Sequence, residues 1–310
     1  MNKSEFVVHP SGEKSFVLRE ALSSSLISSI VAGHPRRIIV EAYVPWKVSD
    51  VSALRCVVHD LWVQDPAMPA ELALGFNWIS SLHLDQDAGG IDFGVFADLE
   101  DCALAHQKAL PETLYKCSKL KSLSLIYSKL GNVDSFGRGL AIEKLVVDSP
   151  PLPFLEIVSS MRNLRHFGAS RCKARDLAFL SQCTQLEYCS LSMLPKLESL
   201  DGIDALSHMW NLDLANCPKL SDLEPLSRLV GLKKLLLESC PKIASLVPIA
   251  KLAKLEKLML WENTLVEDGD LRCMLQSPSL QEFTFKNRRS YNISMDEMAR
   301  LLNRTELKPS

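Results

Sequence analysis

The side chains best suited to chemistry are seven histidines and nine cysteines. A zinc hydrolase needs two histidines four apart on a helix with a glutamate between them, so that nitrogen ligands and a base face one metal. His9, His34, His59, His83, His106, His166 and His208 show no such spacing. The cysteines form no CxxC pair and match no zinc-ligand spacing. There is no phosphate-cradling GxxxxGK[ST], no GxGxxG after a strand and no GxSxG nucleophile elbow. Gly89-Gly90 reads as a turn. His83 and Asp85 alternate along one predicted strand and point the same way. Such a pair can titrate together, but one imidazole and one carboxylate make no active site. No metal, no cofactor and no catalytic group is expected.

The elements that position these residues follow from one repeated pattern, LxxLxL. It starts at Leu120, Ile142, Leu164, Leu186, Met209, Leu232, Leu255 and Leu280, with steps of 22 to 25 residues. Weaker copies start at Val58, Ile79 and Leu99, and Ile38 to Val44 suggests a further strand. About eleven repeats result. Alternate side chains of a strand face opposite ways. The fourth and sixth positions of each copy therefore point into a core, and the third, fifth and seventh point out. The rest of each copy returns on the other side and is too short for long helices, so 3₁₀ turns or extended segments are expected there.

The stretch Leu220-Ser221-Asp222-Leu223-Glu224-Pro225-Leu226-Ser227-Arg228-Leu229-Val230-Gly231-Leu232 resembles the short-repeat leucine-rich-repeat proteins, the subclass of bacterial internalins and eukaryotic phosphatase regulators. Ile243 to Ala250 continues it, and the resemblance covers about residues 58–290. It implies an α/β fold: a curved solenoid with a parallel sheet on its concave face, which binds proteins. The family usually carries Asn at the ninth position, where its side chain satisfies the turn. Here Asn263 fits, Cys172, Cys217 and Cys240 are tolerated substitutes, and Pro150, Leu194 and Arg288 predict irregular turns. Residues 131–139 read as a looser loop.

An open solenoid needs caps. Residues 1–36 are expected to form one, with a strand at Phe16–Leu18 and a helix from Arg19 to Ala32 stopped by Gly33 and Pro35. Repeats occupy 37–290. Residues 291–310 form a closing helix that opens on the capping box Ser294-Met295-Asp296-Glu297.

On this register the outward residues include Trp62, His83, Asp85, Ile126, Val146, Tyr188, Leu236, Met259 and Trp261, with small residues such as Ser124, Gly168 and Ser190 between them. Asp148, His166, Asn211, Asp213 and Glu238 supply polar groups. An outward aromatic has no core to join, and such residues anchor interfaces. The competing expectation is that they bury one another in lateral ladders, because neighbouring strands lie about 5 Å apart. Trp46, Trp78 and Trp210 are assigned to loop or edge packing.

The net charge of −2 does not suit a nucleic-acid binder. Residues 1–110 hold 8 basic and 14 acidic side chains against 27 and 23 in the remainder, so the start is acidic. No secretory leader pattern and no membrane-length apolar run is visible. The expectation is a cytoplasmic monomer of bacterial type that binds a partner protein as regulator, inhibitor or effector. A toxin-neutralising immunity role, signal-less secretion and an enzyme in the concave cleft stand as alternatives.

Overall fold

A strand forms at each LxxLxL copy, because the fourth and sixth side chains alternate with polar ones over a common core. The computed structural model describes residues 3–41, 45, 48–66, 68–128, 130 and 140–305. The expectations for Trp46 and for the loop 131–139 lie outside these. The chain divides into two compact units, Met1–Ile142 and Glu143–Ser310.

In the first unit β1 (Glu5–Val8) pairs antiparallel with β2 (Lys14–Leu18). Parallel strands follow in order: β3 (Arg37–Val40), β4 (Asp60–Val63), β5 (Ser81–Leu84), β6 (Asp101–Ala105) and β7 (Ser122–Ile126). The second unit holds seven parallel strands: β8 (Lys144–Asp148), β9 (His166–Ser170), β10 (Tyr188–Ser192), β11 (Asn211–Ala215), β12 (Lys234–Glu238), β13 (Lys257–Trp261) and β14 (Glu282–Phe285). Within each unit the register is constant. Lys144, His166, Tyr188, Asn211, Lys234, Lys257 and Glu282 stand in one line, one per strand.

The core is a stack of identical rows. In the repeat that begins at Met209, the side chains of Leu212, Leu214, Leu220, Leu223, Leu226 and Leu229 have no exposed surface. Each such leucine contributes about 2–3 kcal/mol of burial. Cys102 and Cys189 point inward, and Cys172, Cys217 and Cys240 are buried at the turn edge. Burial pushes the Cys183 thiol up to about 11, so it packs as a small apolar group.

Most return segments are the short 3₁₀ turns expected, such as Ala178–Leu180 and Glu224–Arg228. One differs: α2 (Leu152–Val158) is an α-helix. Pro151 and Pro153 sit at its start, where a missing N–H costs nothing, and Phe154, Leu155 and Val158 are buried beneath it.

The turns after β6 to β13 follow one template. His106, Tyr127, Ser149, Arg171, Met193, Asn216, Ser239 and Glu262 all adopt left-handed backbone, with φ between 50° and 57°. The turns at Pro150 and Leu194 are therefore regular, contrary to expectation, because the residue before each supplies the left-handed bend. Asn263 is exposed, and the next residue takes the satisfying role. Thr264 Oγ1 donates to the Leu237 carbonyl at 2.8 Å and accepts from the Cys240 N–H at 3.2 Å. Gln107 is a satisfying residue that the pattern did not reveal. Its amide donates to the carbonyls of Gln86 and Ala105 at 2.7 and 2.6 Å.

At the start of the chain β1 was not foreseen, because its partly exposed Phe6 and Val8 give no buried face to read. The helix α1 (Ser24–Gly33) begins later than Arg19, since the Ser23 hydroxyl caps it by accepting from the Leu26 N–H at 3.2 Å. At the other end Ser294 accepts from the Glu297 N–H at 3.2 Å and opens α3 (Met295–Thr305), which packs against β14. Among the described residues no helix is long and apolar enough to cross a membrane.

Candidate functional site

The outward strand positions form two faces, one in each unit. In the first unit the face is closed by its own contacts. Asp60, at the outward third position of its copy, is buried, with its Oδ2 3.2 Å from Arg36 Nε and 3.4 Å from Arg37 Nη2. The Arg37 guanidinium lies 5.9 Å from the Trp62 ring centre, and Trp62 meets His83 edge-on at 5.4 Å. His83 does not engage Asp85, because β5 stops at Leu84 and Asp85 is exposed beyond it. Its partner is Asp101 on the next strand: His83 Nε2 donates to Oδ2 at 3.2 Å, beside Ser81 Oγ at 3.2 Å. Partial burial pushes the Asp101 carboxyl up. Hydrogen bonds from His83, Ser122 and Ser81 outweigh it and hold the group at about 2. Ile126 is exposed at the end of β7, whereas Ala105, placed outward by the pattern, is buried.

In the second unit a depression of 520 Å³ opens on the strand face. Lys144, Val146, His166, Tyr188, Ser190, Trp210 and Asn211 line it, with Gly168 in its floor. A methyl group built on Gly168 would rest against Val146 at an ordinary contact distance of 3.5 Å, so the glycine keeps the floor low without being forced by a clash. The His166 and Tyr188 rings lie 6.1 Å apart. Tyr188 donates its hydroxyl to Asp213 Oδ2 at 2.8 Å. Desolvation, with that carboxylate beside it, pushes the Tyr188 phenol up, and desolvation pushes Asp213 up as well. The Lys234 ammonium stands 5.6 Å from the Trp210 ring centre.

The structure thus gathers His166, Tyr188 and Asn211 around one depression and ties Asp213 to it through Tyr188. Glu238, Met259 and Trp261 stand on β12 and β13 of the same unit; Glu238 and Met259 are half-buried and Trp261 is exposed. Asp148 is not an available orienting group. It is buried, accepts from Ser170 Oγ at 2.6 Å and pairs with Arg171. Trp210 was assigned to edge packing, yet it forms a wall of the depression. It sits at the second position of its repeat, which strand alternation does not mark as outward. The signal that could have found it is Lys234, one of the next repeat's outward residues. Among the described residues no three His, Cys, Asp or Glu side chains gather where they could hold a metal ion.

Neither a protein-family model nor a curated protein matches the sequence. Solved structures do share its fold. An internalin, InlF, from Listeria monocytogenes is 15% identical over 88% of this chain and 87% of its own, with a TM-score of 0.56. A leucine-rich-repeat protein from Leptospira interrogans is 20% identical over 77% of this chain and 62% of its own, at 0.57. A chain of the Drosophila Toll–Spatzle complex is 14% identical over 88% of this chain and 43% of its own, at 0.59. This chain therefore spans less than two thirds of the length of the last two. The architecture is that of a leucine-rich-repeat solenoid.

Proposed function

We propose that this leucine-rich-repeat chain is a protein-recognition module, and that it holds its partner on the strand face of the second unit, around His166, Tyr188 and Trp210. The observation that carries the reading is the 520 Å³ depression, with the rings of His166, Tyr188 and Trp210 around a floor that includes Gly168. Interface energy concentrates in a few aromatic or arginine anchors set in well-packed pockets. A preformed pocket lets the partner's side chain dock with little ordering cost on this side. One chain of similar fold comes from a protein–protein complex, the Toll–Spatzle assembly.

Binding suits this face better than catalysis. Two of its carboxylates are committed, Asp213 to Tyr188 and Asp148 to Ser170 and Arg171. Among the described residues Glu238 has no set of histidine, cysteine or further acidic side chains gathered with it as a metal site would need. We read the protein as a cytoplasmic monomer acting as regulator, inhibitor or effector. Nine free cysteines, eight of them buried, suit a reducing compartment. Residues 1–36 and 291–310 are read as caps on repeats at 37–290. The test is affinity capture with the wild-type chain beside Tyr188→Ala and Gly168→Leu. The expected result is a partner retained by wild type and lost by both variants. A partner retained equally by the folded variants would sink the assignment.

A further inference from the structure

We infer that the partner presents an acidic segment, with carboxylates on either side of one large apolar residue, laid across strands β8 to β12. The inference rests on the reading that this face binds protein, and adds the chemistry of what is bound. Lys144, His166, Tyr188, Asn211 and Lys234 stand in line, one per strand. Strands lie about 4.8 Å apart, so the row runs roughly 19 Å, the reach of about six residues of extended chain. Lys144 and Lys234 bound this stretch with cations, rings and an amide stand between them, and beyond Lys234 the line continues into the Lys257–Glu282 ion pair.

On the strands β8 to β14 the lysines are Lys144, Lys234 and Lys257, and among the described residues only Lys257 enters an ion pair. Lys233 is paired with Glu256 at 3.2 Å, Lys257 with Glu282 at 2.8 Å, and Arg165 with Glu187. Among the described residues Lys144 and Lys234 enter no such ion pair, and both are exposed. Asp213, which faces the row, already accepts from Tyr188. Glu187, beside it, is engaged by Arg165. Lys234 is held out over the Trp210 ring, which fixes a charge at the rim without neutralising it. Along the row the uncommitted groups are the two lysine ammonium groups with apolar surface between them; the Glu238 carboxylate lies four residues from Lys234, at the far end of β12. A segment with carboxylates spaced to reach both lysines, and an aromatic or aliphatic side chain for the depression, satisfies all of them. Carboxylates of either hand along the chain serve, because lysine ammonium groups accept many approach directions.

The test is selection of a displayed random peptide library, about 12 residues long, on the full-length chain, followed by fluorescence anisotropy of the winners. Winners are expected to carry Asp or Glu around one large apolar residue. Amide replacement of those acids should weaken binding at least about tenfold. The Lys144→Glu, Lys234→Glu pair should do the same, with Lys144→Gln, Lys234→Gln as the gentler form if the first fails to fold. Gly168→Leu, which fills the depression, should abolish binding. Lys251→Glu with Lys254→Glu, on a return segment, should change it less than about twofold. Winners without acids that are still lost in Gly168→Leu overturn the acidic chemistry and leave the binding face standing. Winners indifferent to both sets of variants overturn the face as well. A random oligonucleotide that binds the wild type more tightly than any peptide, and is lost on charge reversal, assigns the row to nucleic acid and overturns the inference. A library that yields no winner overturns it too.

Discussion

In the first unit the outward row Arg37, Asp60, Ser81 and Asp101 closes on itself, donor beside acceptor, with Trp62 and His83 packed along it. In the second unit, among the described residues, no side-chain hydrogen bond or ion pair joins neighbours in the equivalent row Lys144, His166, Tyr188, Asn211 and Lys234, and both of its lysines stay unpaired. Both rows are built on the same repeat with the same strand spacing. The backbone fixes where the side chains stand. Whether neighbours satisfy one another or wait for a partner is set by complementarity at about 5 Å across the strands. A repeat array separates stability from recognition in this way: each repeat contributes core leucines independently, while its outward positions are free to be spent on the array or on something else.

The sharpest way to break this contrast is to open the closed row. Asp60→Ala leaves Arg37 without its buried partner. It is expected to cost about 2–3 kcal/mol, the range for a lost hydrogen bond to a charged group. Hydrogen exchange should show the loss in the first unit while amides of β9 to β12 keep their protection. Equal loss of protection in both units would mean that the array unfolds as one, and that the two faces cannot be compared separately. The reciprocal change is Tyr188→Ala. Its expected effect is on partner binding, about 2 kcal/mol or roughly 30-fold, as for an interface anchor. Trp62→Ala should change binding less than about threefold, because Trp62 is spent between Arg37 and His83. Titration calorimetry with a captured partner or selected peptide measures both. A larger loss from Trp62→Ala would reverse the assignment of the two faces.

The strands were legible in the sequence because their signal is short-range and repeated: Leu212 and Leu214 sit on the core side for the same reason as Leu235 and Leu237. The outward face was legible only as positions. Alternation marked Tyr188, His166 and Asn211, but not that they meet around Gly168, which depends on side-chain size on three successive strands. It placed Trp62 outward and said nothing of Arg37, which covers it from the strand before. The edge tryptophan Trp210 was missed because it lies just before its strand, where the period-two rule does not yet apply. Asp148 is buried rather than available for a reason that Asp60 shares. An outward carboxylate flanked by an arginine or a serine on a neighbouring repeat is drawn into the surface, and those neighbours are about 22 residues away in sequence.

Acid distinguishes the two faces next. The Asp101 carboxyl is held at about 2, below its ordinary 3.8. A depressed carboxylate contributes stability that is present above its unfolded value and lost as pH falls through its folded one. The first unit should therefore weaken between about pH 4 and pH 2. Asp101 is 42% exposed, so solvent screening limits the effect to about 1 kcal/mol. The measurement is the difference in unfolding free energy between wild type and Asp101→Asn as pH is lowered. It should shrink towards zero near pH 2. Asp213 carries the opposite shift, raised by desolvation. Asp213→Asn should therefore become less destabilising, or turn stabilising, at pH above its titration, since the charged form is the one the site disfavours. A gap between wild type and Asp101→Asn that persists at pH 2 would show that the hydrogen bonds to His83 and Ser81 do not depend on the charge.

The smallest effect concerns the turns that both units share. After each of eight successive strands, β6 to β13, one non-glycine residue adopts left-handed backbone. Such a conformation costs an L-residue about 1 kcal/mol. Glycine removes that cost but enlarges the freedom of the unfolded chain by a similar amount. Ser239→Gly should therefore shift stability by no more than about 0.5 kcal/mol in either direction. Ser239→Val should destabilise by more, because a β-branched side chain meets the left-handed bend at its worst. Thermal melts of the two variants, read against Asn216→Gly, decide the point. Asn tolerates this backbone better than Ser, so the gain at position 239 should exceed that at 216. If the order reverses, the bend is held by the contacts of the neighbouring turns rather than chosen residue by residue, and its recurrence in both units is then a property of the stack.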